Sequence, residues 1–182
     1  MIRSSLRALT LLALTLLVSA PAIGAQSPAG HTTVILVRHA EKAAEPTADP
    51  PLTNAGVARA EALVELLKDA GVQGVVSTQF QRTRQTVAPL AANLGLTVEI
   101  IDARVSARAT ADSVLARHRG HTVVLAGHSN TVPALVAAFG AAQPAALCDD
   151  GYDNVFIVTV APSGAASVVR MHYGVATPSC RP

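Results

Sequence analysis

The chain has 182 residues, half of them apolar, but no Trp and only 3% aromatic residues, so its core has to be built from closely packed aliphatic side chains rather than rings. Its formal charge of +2 becomes neutral, 12 basic against 12 acidic residues, once Arg3 and Arg7 are removed with the leader described next. Nucleic-acid binders carry a basic surplus. The composition therefore excludes that class, and any positive field on this protein must belong to a pocket rather than a face.

Arg3 and Arg7 precede an apolar run from Ala8 to Val18, and small residues then lead to Ala25-Gln26. A secretory h-region is ~7–15 residues long, whereas a bilayer-spanning helix needs ~20. The run reads as a signal peptide over 1–25, so a secreted or periplasmic protein with no stable membrane insertion after processing is expected. A polar, Pro- and Gly-containing linker follows over 26–32. Residues 33–182 then have the usual size of one domain with one core.

Thr33–Val37 is a continuous run rich in β-branched residues, as in a strand buried on both faces, and it ends in Arg38-His39. Pro46, Pro50 and Pro51 break the loop beyond it. Thr53 or Asn54 caps a helix with Val57, Ala60, Leu63, Val64 and Leu67 on one stripe and Arg59, Glu61, Glu65 and Lys68 on others, ending at Gly71. The alternation repeats: a strand at Val75-Val76, a helix over 82–94, a strand over 97–101, a helix over 107–118, a strand over 122–126 and a helix over 131–139. Strands over 155–160 and 166–171, joined at Pro162-Ser-Gly164, close the chain as a hairpin. The pattern predicts an α/β fold, a three-layer αβα sandwich with a mainly parallel sheet and an antiparallel edge hairpin.

In parallel sheets ligands bind beyond the carboxyl ends of the strands. Three polar clusters directly follow predicted strands: Arg38-His39, Thr78 to Arg84, and Gly127 to Thr131. They should meet on one rim. A neutral imidazole is a competent nucleophile, and arginine's planar fork matches phosphate oxygens. Arg82 and Arg84 open a helix, where the dipole also favours anions, but two residues apart they cannot both face the pocket. Two arginines and two histidines around one anion suit a transferring phosphoryl group.

These residues carry a family resemblance. Val37-Arg-His-Ala-Glu-Lys42 resembles the Arg-His-Gly/Ala signature of the histidine phosphatase superfamily, the phosphoglycerate mutase-like proteins. Asp49 to Gly56 is similar to its D-x-P-L-T-x-x-G stretch, Thr78 to Thr86 to its S-x-x-x-R-x-x-x-T helix start, and Gly127-His128 to its second histidine. The resemblance implies a three-layer αβα sandwich with no metal or organic cofactor. It implies a phosphohydrolase in which His39 becomes phosphorylated, His128 assists as the second catalytic histidine, and Arg38 and Arg82 bind the phosphoryl group. The substrate would be a phosphorylated small molecule or a phosphoprotein.

The departures matter as well. Thr78 replaces the family's Ser, and Ser129 stands where many acid phosphatases place an Asp that protonates the leaving oxygen. Glu41, Glu45, Asp49, Glu99 and Asp102 are the other carboxylates open to that role. His31, His118, His121 and His172 read as exposed or edge positions, Asn130 and Thr131 as a helix cap, and the arginines between 104 and 119 as a solvated face. Two rival functions can be framed. Gly127-His-Ser129-Asn-Thr131 approximates a nucleophile elbow, with Asp149, Asp150 or Asp153 and then His172 downstream, although Thr131 replaces the second glycine of that motif. The alternative to this esterase is a non-catalytic phospho-ligand binder. Cys148 and Cys180, the chain's two cysteines, are expected to pair in an oxidising compartment.

Overall fold

The computed structural model describes residues 30–178. The strands are β1 (Thr32–Arg38), β2 (Val72–Thr78), β3 (Val98–Ile101), β4 (Thr122–Gly127), β5 (Asn154–Val160) and β6 (Ala166–His172), and the helices are α1 (Asn54–Leu67), α2 (Gln81–Leu94), α3 (Ala107–Arg117) and α4 (Val132–Ala138). They form one six-stranded sheet in the order β3-β2-β4-β1-β5-β6. The first four positions are parallel, and β5 runs antiparallel to both β1 and β6. This is the mainly parallel sheet with an edge hairpin expected from the sequence.

Alternation along the buried strands feeds two core layers. Val34 and Leu36 of β1 join Val123 and Leu125 of β4 against Val114 of α3 and Leu135, Val136 and Phe139 of α4. Ile35 and Val37 join Val124 and Ala126 on the opposite face, against Leu63 and Leu67 of α1 and Val87 and Leu90 of α2. The chain thus leaves β1 toward one face and β4 toward the other. Adjacent strands whose connections part in this way open a crevice at their carboxyl ends, where α/β sheets bind ligands.

The local signals for α1 and α2 act as expected. Thr53 caps α1, its Oγ1 accepting the Gly56 N–H at 3.2 Å. Gly95 ends α2 in the left-handed region at φ 66°. Gly56 is required for a second reason, because a Cβ there would lie 2.3 Å from the Glu41 carbonyl oxygen. Helix α1 consequently presses directly on the loop that leaves His39.

Three placements differ from the sequence reading. Thr32, assigned to the linker, opens β1 and pairs with Val160. Arg59, assigned to a polar stripe of α1, is buried, while Val57 of the apolar stripe is 47% exposed. Arg59 turns inward because its guanidinium has a full set of acceptors. Nε and Nη2 donate to the Glu41 carboxylate at 2.7–3.0 Å, Nη1 donates to the Tyr173 carbonyl and Nη2 to the Val175 carbonyl, both at 2.8 Å. His118, expected at an exposed or edge position, is also buried. Its imidazole occupies the space beside Gly74, where a Cβ would come within 2.5 Å of it, and its Nε2 lies 3.0 Å from Glu99. Cys148 is disulfide-bonded. Cys180, the chain's other cysteine, and residues 1–25, where a signal peptide is expected, lie outside the described residues.

Removing one partner of a buried ion pair leaves the other charge uncompensated. Arg59→Met should therefore lower unfolding stability by about 3–5 kcal/mol in urea titrations, whereas a solvent-facing Arg would lose under ~0.5 kcal/mol. A loss at the lower figure would show that the pair does not hold α1 to the tail.

Candidate active site

The geometry of the rim begins with the β1–β4 ladder. Arg38 pairs with Gly127, so the next residues on the two strands, His39 and His128, emerge side by side. The His39 N–H extends the ladder by donating to the Gly127 carbonyl at 2.9 Å. The two imidazole centroids are 5.5 Å apart. On the other side of β4, Ser77 pairs with Ala126, which brings Thr78 and the start of α2 to the same rim.

His39 is buried and held in one tautomer. Its Nδ1 lies 2.8 Å from the Ala40 carbonyl oxygen, which can only accept, so Nδ1 carries the proton and Nε2 keeps its lone pair. Ala40 is fixed in turn. Its N–H donates to Thr86 Oγ1 at 2.8 Å, and that hydroxyl donates to the Arg82 carbonyl at 2.7 Å. The Thr86 end of the sequence motif thus positions the backbone behind His39.

A hydroxyl relay sets His128. Thr83 Oγ1 donates to main-chain carbonyls, closest to that of Phe80 at 2.8 Å, so it must accept from Thr78 Oγ1 at 2.7 Å. Thr78 Oγ1 then accepts from His128 Nε2 at 3.1 Å. Burial pushes His39 down to about 3 and His128 down to about 4, and Arg38 and Arg82 add to both shifts. Both rings are neutral at ordinary pH.

The two arginines are braced rather than neutralised. Arg38 Nη1 donates to the carbonyls of Cys148 and Asp149 at 2.8 Å, and its guanidinium lies 4.2 Å from the centroid of the Tyr152 ring. Arg82 stacks on Phe80 at 4.4 Å, with its closest carboxylate, Asp49, at 3.8 Å. Their buried Nε atoms have no hydrogen-bond partner among the described residues. Desolvation lowers both pKa values, which favours pairing with an anion. Arg84 is exposed on the far side of α2, so the pair diverges as helical spacing requires.

Arg38, His39, Arg82 and His128 line one open cleft of about 500 Å³, together with Ser129, Asn130 and Thr131. The sequence reading did not assign Lys42, Arg104 or Asp149 to it. Arg104 carried the same signal as the other clusters, since it lies just beyond a strand, but its spacing with Arg108 and Arg117 suggested a helix face. Four cationic residues and the single acidic residue Asp149 line the cleft, so the chain's small formal net charge of +2 hides a local positive field.

Each of the other candidates already has a partner. Glu41 binds Arg59, Glu99 binds Arg117 and His118, and Asp102 binds Arg104. Glu45 accepts the Thr47 N–H, and Asp49 accepts the Gln81 N–H at the start of α2. Thr131 stands at the N-cap of α4 as expected, but its Oγ1 accepts the His128 N–H at 2.9 Å and makes no capping bond to the helix. His172 lies 3.1 Å from Asp153, but both line a different cavity from the one containing Ser129. The serine esterase arrangement is therefore not assembled. Among the described residues, no group of three or more His, Cys, Asp or Glu is placed to hold a metal ion.

Neutral, buried histidines make folding sensitive to acid. Below the ordinary histidine value of 6.5 the unfolded chain takes up protons that folded His39 refuses until about pH 3 and His128 until about pH 4. Stability is complete above pH 6.5 and falls as the pH drops through that window. His39→Asn should flatten the acid limb in urea titrations run across this range. An unchanged slope would place the acid sensitivity elsewhere.

With this geometry in place, comparison with known proteins is direct. The model of the histidine phosphatase superfamily (branch 1) matches residues 34–106. No curated protein sequence gives a significant match. Among solved structures, the chain is similar to the protein histidine phosphatase SixA complexed with tungstate, with 21% identity, a TM-score of 0.65 and coverage of 77% of this chain and 96% of that one. It is also similar to a mycobacterial glucosyl-3-phosphoglycerate phosphatase, with 16% identity, a TM-score of 0.62 and coverage of 79% and 98%. Bacillus stearothermophilus YhfR gives 18% identity, a TM-score of 0.62 and coverage of 76% and 95%. At these identities the structural likeness is one of fold. The family match over residues 34–106 and the shared fold agree with the motif resemblance to the histidine phosphatase superfamily.

Proposed function

We propose that the protein is an exported phosphohydrolase that works through a phosphohistidine at His39. The observation that carries this reading is the His39 tautomer: Nδ1–H is tied to the Ala40 carbonyl and the Nε2 lone pair is left free, in a cleft bearing Arg38, Arg82 and His128. Nε2 attacks phosphorus as the bond from phosphorus to the leaving oxygen breaks, and that oxygen departs with the electron pair. Arg38 and Arg82 hold the equatorial oxygens. His128, with its Nε2–H committed to Thr78, meets the dianion through Nδ1, and the nearby negative charge raises its pKa so that it binds as a cation. Water then attacks the phosphohistidine, releasing inorganic phosphate and restoring the neutral imidazole.

The leaving group has little help. Ser129 occupies the position of the acid, and Asp149, the only acidic residue on the cleft wall, is exposed, with its main-chain carbonyl rather than its carboxylate held by Arg38. The proposed substrates are phosphorylated small molecules or phosphoproteins whose leaving groups depart without protonation. Aryl phosphates, acyl phosphates, phosphoanhydrides and phosphohistidine have this property. Export rests on Arg3, Arg7 and the apolar run after them, and agrees with a disulfide at Cys148.

Brief incubation with labelled substrate, quenched without acid, should trap an acid-labile phosphoenzyme that His39→Ala abolishes and Ser129→Ala retains. Label surviving in His39→Ala would overturn the proposal. Arg82→Ala should lower turnover by ~10²–10³, the scale for one transition-state donor, and Arg84→Ala far less. Equal losses would reject the assignment of Arg82. A plot of log kcat/KM against leaving-group pKa should fall steeply through simple alkyl esters and keep its slope in Asp149→Asn. A flat line in the wild type would reveal a working acid.

A further inference from the structure

Behind His128 lies a second cavity of about 250 Å³, set between α3, α4 and the carboxyl ends of β2, β3 and β4. It adjoins the catalytic cleft, because Ala103, His128, Asn130 and Thr131 line both. We propose that this cavity is the site for an apolar, ring-sized group of the substrate, carried a few bonds from the phosphorus bound at His39. The inference rests on the phosphohydrolase reading and adds a substrate class to it: phosphorylated small molecules with an aromatic or branched aliphatic tail.

The walls support that occupant. Leu125 and Leu135 form the floor, Ile101 and Val105 one side, and the small residues Ala107 and Ala134 face the space from α3 and α4. Val105, 46% exposed, leaves apolar surface at the mouth. Most polar side chains on the walls are already engaged. Thr78 bonds Thr83 and His128, Ser106 caps α3 through the Ala109 N–H, and Asp102 is held by Arg104. A cavity with few polar groups free has little to offer water, and apolar cavities of ~150 Å³ already accept a benzene-sized guest. Ligand pockets combine such an apolar lining with a few fixed polar groups. Here the polar end is the cleft with Arg38, Arg82 and the two histidines.

The two cavities also meet where the chemistry needs them to. His128 forms their common wall, so a substrate filling the apolar cavity passes its edge on the way to His39. Binding of the tail would close this side of the phosphoryl site to solvent. Extending a side chain from Ala107 or Ala134 fills the space from helices that carry neither Arg38 nor Arg82.

The test uses non-hydrolysable phosphonates, so binding is read without turnover. Methylphosphonate, benzylphosphonate and 3-phenylpropylphosphonate are titrated into the mature protein by calorimetry. At least one arylalkyl ligand should bind about 10- to 100-fold more tightly than methylphosphonate, the scale for burying one aromatic side chain. Ala134→Phe should remove that advantage and leave methylphosphonate affinity unchanged, and Ala107→Leu serves as the second variant should Ala134→Phe not fold. Equal affinity for all three ligands in the wild type, or an aryl advantage that survives both folded variants, would overturn the proposal. In parallel, kcat/KM for acetyl phosphate should be unaffected by either substitution. Absence of any hydrolysis by the wild type would refute the phosphohydrolase reading while the binding series still decides the cavity.

Discussion

Everything at the rim depends on the register between β1 and β4. Parallel neighbours lie ~4.8 Å apart, and pairing Arg38 with Gly127 places the two following residues next to each other. The 5.5 Å between the imidazole rings is therefore a property of the ladder, reinforced by the His39 N–H to the Gly127 carbonyl. A slip of one residue would turn Arg38 or Val37 to the other face of the sheet and destroy both the core and the site. The same strands lie where the connections part to opposite faces, so the crevice opens over the two histidines.

Burial then determines what the site can do. Burial of His39 and partial burial of His128 keep both neutral, while Arg38 and Arg82 are held by carbonyls and aromatic rings rather than by tight carboxylate pairs. The cleft thus keeps its cationic character available for a ligand. A site that paired each arginine closely with a carboxylate would be more stable when empty and weaker toward an anion. The cost of this preorganisation appears as the acid sensitivity of the fold.

The Glu41–Arg59 pair explains how a loop carrying three prolines can leave His39 in a fixed direction. Arg59 joins that loop to α1 and to the chain beyond β6, and Gly56 permits α1 to approach the Glu41 carbonyl closely. Asp49 and Gln85 bind the far end of the same loop, through the Gln81 and Leu52 N–H groups, to α2. The loop that leaves His39 is anchored at both ends to helices of one layer.

Much of this was legible in the sequence, for physical reasons. Buried parallel strands read as short β-branched runs, so Thr33–Val37 and Thr122–Ala126 announced themselves, and polar residues placed just after such runs have to lie on the binding rim. That logic is enough to bring Arg38, His39, Arg82 and His128 to one rim from the sequence alone. The choice of Arg82 over Arg84 came from the motif, and helical geometry explains the exposure of Arg84. The structure alone decided which polar residues are buried. Arg59 and His118 carry no local mark of burial, because the acceptors of one lie in segments far along the chain and the space for the other, at the end of α3, is created by Gly74 on β2. The same holds for the carboxylates: Glu41 and Glu99 were equal candidates as letters, and only their partners in space set them apart from the cleft. The apolar cavity beside His128 is of this kind too. Its walls come from three strands and two helices, and no window of sequence contains a space between elements.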